Sequence, residues 1–316
     1  MAKVLTIGEP MGLLVANEPK ALKDVTQFTR YVCGAEVNFA VGMSRLGHKT
    51  AYISRVGNDP FGQHILDFLQ EQGITTDYIE LDEINRTGMQ LKAKTLEGDP
   101  EVVNFRRFTA FSHMEPSIVD TVDWSAYDHL HVTGIPAALS ASCRDTIEAM
   151  MKAAKAAGVQ VSFDTNLRPA LWPSEAVMRD TINELAFLAD IVLPGLGEGK
   201  ILTGLDTPEA IADFYISRGV KTVVIKRGTK GAYVKSTYGE WYTPAYIVEH
   251  VVDTVGAGDG FAVGTISARL EGLSWPEAAT RGAAIGALAV MVEGDNEGLP
   301  TPEQLKAFQA TAKLNQ

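Results

Sequence analysis

The chain has 316 residues, 46% of them apolar, enough to bury one large α/β core with a small appendage. A formal net charge of −11, from 39 acidic against 28 basic residues, argues against nucleic acid or an anionic membrane as partner and makes local clusters of Arg and Lys informative. No apolar run approaches the roughly 18 residues needed to span a bilayer, and Cys33 and Cys143 have neither metal-ligand nor redox spacing, so a reducing cytoplasm is expected.

In chain order, "VLTIG" (4–8) reads as a buried strand. "GLLVANEP…TQFTRYVCG" (12–34) offers short strands with no helix between them. "EVNFAVGMSRLG" (36–47) has helical periodicity and a closing glycine, and "TAYISRVG" (50–57) returns to a strand. "GMQLKAKTLEGDPEVVNFRRFTAF" (88–111) alternates polar and apolar residues on both sides of "EGDP", a hairpin signal. Four further strand-like runs follow: "HLHVTG" (129–134), "VQVSFDTN" (159–166), "DIVLPG" (190–195) and "TVVIKRG" (222–228). Helical patterns at 143–158 and 208–219 separate them. Apolar strands alternating with helices imply a mostly parallel sheet covered on both faces. The segments at about 9–35 and 87–112 are expected to form a small β-sheet lid inserted in this single domain.

Ligands of open parallel sheets sit at the carboxyl ends of strands. The residues there are Asp164, Asn166 and Arg168 after one strand, Glu198 after the next and Lys226 after a third. "DTVGAGDGF" (253–261) runs from glycines straight into a helical pattern. Unpaired N–H groups of Gly256, Ala257 and Gly258 at that helix start would receive a phosphate oxygen. An aspartate beside them repels the anion unless it takes a proton from the attacking hydroxyl, which points to Asp259 as a general base. The competing reading is an aspartate that only complements the helix dipole. "PGLGEGKIL" lacks the first glycine and the Ser/Thr of a P-loop, and "IGEPMG" after the first strand is no dinucleotide fingerprint. His129 and His131 share a strand face without a third ligand, so they read as core or surface residues. Arg106 and Arg107 are adjacent in an expected strand, so only one can face a pocket. With Arg168, an inward arginine suggests an anionic acceptor; the competing reading is that these arginines pair with surface acids or with ATP phosphates.

"GAEVNFAVGMSRLGHKTAYISRVGNDPFG" (34–62) and "DTVGAGDGF" resemble the two signatures of the ribokinase-like, PfkB-type carbohydrate kinases, and the likeness covers essentially the whole chain. The resemblance implies a ribokinase-like three-layer α/β/α fold with a β lid. It also implies ATP and magnesium as cofactors, with a monovalent cation as a further candidate. The exposed edges of the lid strands point to a homodimer formed by edge pairing that would cover them. The resemblance gives Asp259 the role of base and Gly256, Ala257 and Gly258 that of the anion hole. Gly34, Asn38, Met89, Phe105, Arg106, Arg168 and Asp253 fall to the sugar, Asn166, Lys226, Gly228 and Gly231 to the nucleotide, and Glu198 to the metal. Within the family, "DTNLRPALW" (164–172), "DIVLPGLGEGKILTG" (190–204) and "VVNFRRFTAFS" (102–112) look most like kinases of 2-keto-3-deoxygluconate. A sugar acid is therefore the expected acceptor, with a neutral ketohexose such as fructose as runner-up and a silent sugar-binding protein as the reading from another class. Three departures stand out. Cys33 replaces the first of two paired glycines, Gly195 replaces the Asn of an Asn-x-x-Glu motif, and Asn104 and Phe105 replace two tyrosines.

Overall fold

A computed structural model describes residues 1–95 and 100–315. β1 (Lys3–Ile7) is followed by the antiparallel pair β2 (Met11–Ala16) and β3 (Phe28–Cys33), then α1 (Ala35–Arg45), β4 (Lys49–Gly57), α2 (Pro60–Glu71) and β5 (Thr75–Asp82). β6 (Gly88–Lys92) and β7 (Val102–Phe105) form a second antiparallel pair. Residues 97–99 of the expected "EGDP" turn lie outside the described residues. Next come β8 (His129–Thr133), α3 (Gly134–Ala137), α4 (Ala141–Ala156), β9 (Gln160–Asp164), α5 (Glu175–Ala186) and β10 (Ile191–Val192). The chain continues through α6 (Leu196–Thr203), α7 (Pro208–Ile216), β11 (Thr222–Lys226), β12 (Ala232–Ser236) and β13 (Gly239–Thr243). It closes with α8 (Ala257–Leu270), α9 (Trp275–Ala289) and α10 (Pro302–Thr311).

Nine strands make the main sheet in the order β13–β12–β11–β10–β9–β8–β1–β4–β5, parallel except for the β12–β13 hairpin at one edge. The apolar runs explain why both faces are covered. In β1, Val4 belongs to one core cluster and Leu5 and Ile7 to the other; in β11, Val224 faces one side, Val223 and Ile225 the opposite. Strand alternation thus feeds two cores from one sheet, one packed by α4, α5 and α7, the other by α1, α8 and α9. Helix starts follow local chemistry. Asp59 caps α2 through the amides of Phe61 and Gly62, and Pro60 and Pro208 occupy first-turn positions that need no N–H donor.

β3–β2–β6–β7 form a separate four-stranded sheet, with β2 and β6 parallel at its centre. It stands at the carboxyl end of β1, joined to it through Gly8–Pro10. The hairpin alternation of 88–111 corresponds to β6 and β7, but the pairing stops at Phe105, so Arg106 and Arg107 lie just past the strand. "DIVLPG" supplies only the two residues of β10 to the strand, because Pro194 brings no N–H to a ladder. β5 and the β12–β13 hairpin, at the two edges of the main sheet, carry mixed polar and apolar residues that the sequence reading did not single out.

His129 and His131 are core residues. His129 Nε2 lies 2.7 Å and His131 Nδ1 2.8 Å from Ser162 Oγ, and His131 stacks on Phe39 with ring centroids 3.8 Å apart.

Candidate active site

A cavity of about 550 Å³ opens at the carboxyl ends of the parallel strands, roofed by the small sheet. The start of α1 brings Gly34 and Asn38 to it, the loop after β9 brings Asn166 and Arg168, β11 ends in it at Lys226, and α8 enters with Gly256, Gly258 and Asp259.

Gly256 caps α8 with φ +80°, a left-handed conformation in which a Cβ would also strike the Asp295 carbonyl oxygen at 2.6 Å. That turn leaves the first amides of α8 facing the cavity and puts Asp259 in its first turn. Asp259 is held from two sides: Oδ2 accepts from Asn38 Nδ2 at 2.8 Å and Oδ1 from Asn166 Nδ2 at 3.3 Å. Asn166 sits at φ +36°, which asparagine tolerates, and its Oδ1 accepts from Arg168 Nη1 at 2.6 Å. The arginine thereby fixes which end of the Asn166 amide faces Asp259. Burial pushes the Asp259 carboxyl up to about 6, with Asp295 adding to it, against the opposing pull of Asn38, Arg168 and Lys226.

Lys226 lies beneath the α8 amides, its Nζ 3.6 Å from where a Cβ on Gly258 would sit. It donates to both oxygens of Asp164, at 2.8 and 2.6 Å, within a buried ion pair. Burial raises the Asp164 carboxyl to about 6 even so.

Other residues expected at the site stand elsewhere. Glu198 does not line the cavity. Its Oε2 accepts from the Gly195 amide at 2.7 Å and Thr165 Oγ1 at 2.8 Å, and its Oε1 from the Leu167 amide at 2.7 Å. Burial alone would raise this carboxyl, but Lys226 and those amides hold it below its usual range. A carboxylate so occupied staples the 165–167 loop to α6. Gly195, where an asparagine was expected, contributes its backbone N–H to the cap of α6. Met89 and Phe105 are register partners on the opposite face of the small sheet, lining a different groove with Arg107 and Phe108. Strand alternation sends Gln90, Lys92 and Asn104 to the cavity, whereas Met89 and Phe105, expected at the sugar, line the outer groove. Asp253 is buried outside the cavity lining, one oxygen accepting from the Val255 amide at 3.1 Å and the other engaged by Lys92. Gly228 and Gly231 form the turn into β12 away from the cavity lining. At Gly231, φ +78°, a Cβ would meet the Thr243 carbonyl oxygen at 1.9 Å, so tight packing of the hairpin accounts for the glycine.

Arg106 reaches the cavity and Arg107 does not, although turn geometry rather than strand alternation separates them. Glu9, 2% exposed, accepts from Arg106 Nε at 2.8 Å and Nη2 at 2.7 Å, and from Thr109 Oγ1. Glu9, Lys92 and Asp295 were not anticipated. Glu9 could have been found by its place after β1 and Lys92 by the alternation of β6, whereas no local pattern marks Asp295. Cys33 lines the cavity, its thiol pushed well up by burial, and its Sγ lies 3.7 Å from Gln90 Oε1. It packs where a paired glycine was expected. Among the described residues no cluster of three or more carboxylate, His or Cys side chains could hold a metal ion, and no helix is long and apolar enough to cross a membrane.

A family model for pfkB family carbohydrate kinases matches residues 1–302. The chain belongs to that family. Among curated relatives, the kinase is 47% identical over 305 residues to a 2-dehydro-3-deoxygluconokinase of Bacillus subtilis (strain 168), covering 96% of this chain and 94% of that protein. Among solved structures, the kinase matches a PfkB protein from Polaromonas sp. JS666 at 44% identity and TM-score 0.90, covering 97% and 100% of the two chains. It also matches a candidate Ribokinase II from E.coli in complex with ATP and Mg+2, at 29% identity and TM-score 0.89, covering 98% and 99%. The ribokinase-like architecture and the kinase class follow from these matches.

Proposed function

We propose that the kinase transfers the γ-phosphoryl group of ATP to a hydroxyl of 2-keto-3-deoxygluconate, giving the 6-phosphate. The observation that carries the chemistry is Asp259 beside the open amides of α8, held by Asn38 and Asn166. The acceptor is supported by the 47% identical relative and by Arg106 and Arg168 at one cavity.

The hydroxyl docks against the carboxylate of Asp259, which accepts its proton as the new O–P bond forms and ADP leaves. The amides of Gly256, Ala257 and Gly258, with the positive end of α8, stabilise the charge on the moving phosphoryl group. Lys226, held by Asp164 under those amides, adds a fixed positive charge. Magnesium, when bound, neutralises phosphate charge and orients the nucleotide. Glu9 occupies the Nε/Nη2 edge of Arg106, leaving the Nη1 end of the fork for an acceptor carboxylate. The small sheet acts as a lid that keeps water from the transfer.

ADP release measured over a panel of sugars tests this reading. The sugar acid is expected to give the highest kcat/KM, and Asp259→Asn to cut its turnover by about two orders of magnitude or more with binding nearly retained. Preference for fructose would overturn the acid acceptor and leave the kinase standing. Wild-type turnover in Asp259→Asn would remove the base.

A further inference from the structure

Lys92 is only 4% exposed, at the end of the central lid strand β6. Its ammonium contacts Asp253 Oδ2 and lies 3.7 Å from Asp295 Oδ1. Both aspartates are 8% exposed, and Asp295 Oδ1 has no hydrogen-bond partner among the described residues. The two carboxylates come from different loops that meet at the N-terminus of α8. Asp253 stands in the segment leading into Gly256, and the Asp295 carbonyl is the atom that Gly256 packs against. One cation therefore faces two anions beside the amides proposed to receive phosphate.

We propose that Lys92 is a positioning residue for phosphoryl transfer: it neutralises Asp253 and Asp295, the carboxylates flanking the α8 amides, so that this end of the cavity accepts a nucleotide phosphate. Without the ammonium, two like charges in a low-dielectric corner would repel the phosphates and one another. Because the ammonium is carried on the small sheet, the neutralisation is complete only when that sheet is seated. Seating of the lid and readiness for phosphate are thereby coupled through a single side chain. The same charges reach the proposed base. The groups acting on Asp259 are Asn38 from α1, Asn166 and Arg168 after β9, Lys226 at the end of β11, and Asp295 from the loop after α9; Glu36 and Asp164 also interact with it electrostatically. Asp295 adds to the effect of burial in raising the Asp259 carboxyl.

The inference rests on the reading of Asp259 and the α8 amides given above, and its test has two separate arms. The first is the affinity of ADP and a non-hydrolysable ATP analogue, with magnesium, measured by calorimetry. Lys92→Met is expected to weaken both by about tenfold or more, Lys92→Arg to stay within about threefold, and Lys92→Met/Asp295→Asn to recover most of the loss. The second arm is the pH profile of kcat/KM with whichever acceptor the wild type phosphorylates. Its acid limb is expected to move up in Lys92→Met and down in Asp295→Asn. Unchanged nucleotide affinity in Lys92→Met, or an acid limb that stays put in Asp295→Asn, would reduce Lys92 to a structural tie. Should Lys92→Met fail to fold, Asp295→Asn and Lys92→Arg still decide. If Asp259→Asn keeps wild-type turnover, the base reading fails while the calorimetric arm judges Lys92 by itself.

Discussion

Asp259 sits where a helix start attracts anions and a buried carboxyl resists ionising, and the balance leaves its protonation near 6. As a base it works only as the carboxylate, so kcat/KM is expected to fall about tenfold per pH unit below that value and to level off above it. A profile flat from pH 5 to 8 would contradict the assignment. The two adjacent arginines give a second residue-scale expectation. Arg106 borders the cavity and Arg107 the outer groove. A desolvated Arg–carboxylate contact is worth roughly ten- to a hundredfold in kcat/KM, so Arg106→Ala should reduce the sugar acid by that factor relative to a neutral ketohexose. Arg107→Ala should leave the ratio unchanged. Equal losses for acid and neutral sugars in Arg106→Ala would mean that the side chain serves Glu9 and the lid instead of the substrate.

Among the elements, β8 and β9 carry a buried polar pair inside an apolar sheet. Burial holds His129 down to about 4 and His131 well below its usual value, so both are neutral in the folded protein. The unfolded chain protonates its histidines near 6.5. The stability from keeping His129 neutral is therefore full above about pH 6.5 and is lost as pH falls toward 4, at about 1.4 kcal/mol per pH unit. Three carboxyls raised to about 6, on Asp164, Asp259 and Asp295, act in the opposite sense over part of that range. The useful measurement is a difference: unfolding free energy of wild type minus His129→Gln, followed from pH 7 to pH 4.5. It should shrink steadily on acidification, and a constant difference would show that His129 titrates alike in both states. Hairpin character in β6 and β7 was legible from alternation, and the helix before β4 from its period. The side from which each lid residue is read was not. A strand of period two assigns Met89 and Gln90 to opposite faces but does not say which face meets the cavity.

For the whole molecule, the lid reading predicts that sugar and an ATP analogue together protect residues 88–92 and 102–105 from hydrogen exchange; unchanged protection would refute it. The outer face of the small sheet keeps Phe105 and Phe108 exposed, at 55% and 81%, with Ile84 beside them at the same groove. Its edge strands β3 and β7 are unpaired among the described residues. We propose that a second copy covers this surface, and sedimentation should then give a dimer that Phe108→Glu dissociates; a monomeric wild type would exclude it. The layered α/β class, the parallel sheet and a helix that starts from glycines with Asp259 in its first turn were determined by the sequence alone, because period, chain order and glycine spacing are local properties. Tertiary structure alone decided that Glu198 serves a loop, that Asp253 is held by Lys92, and that Asp295 joins them from 42 residues farther along the chain. A carboxylate's role depends on which donors reach it, and those donors come from other strands and loops that only folding brings within about 3 Å.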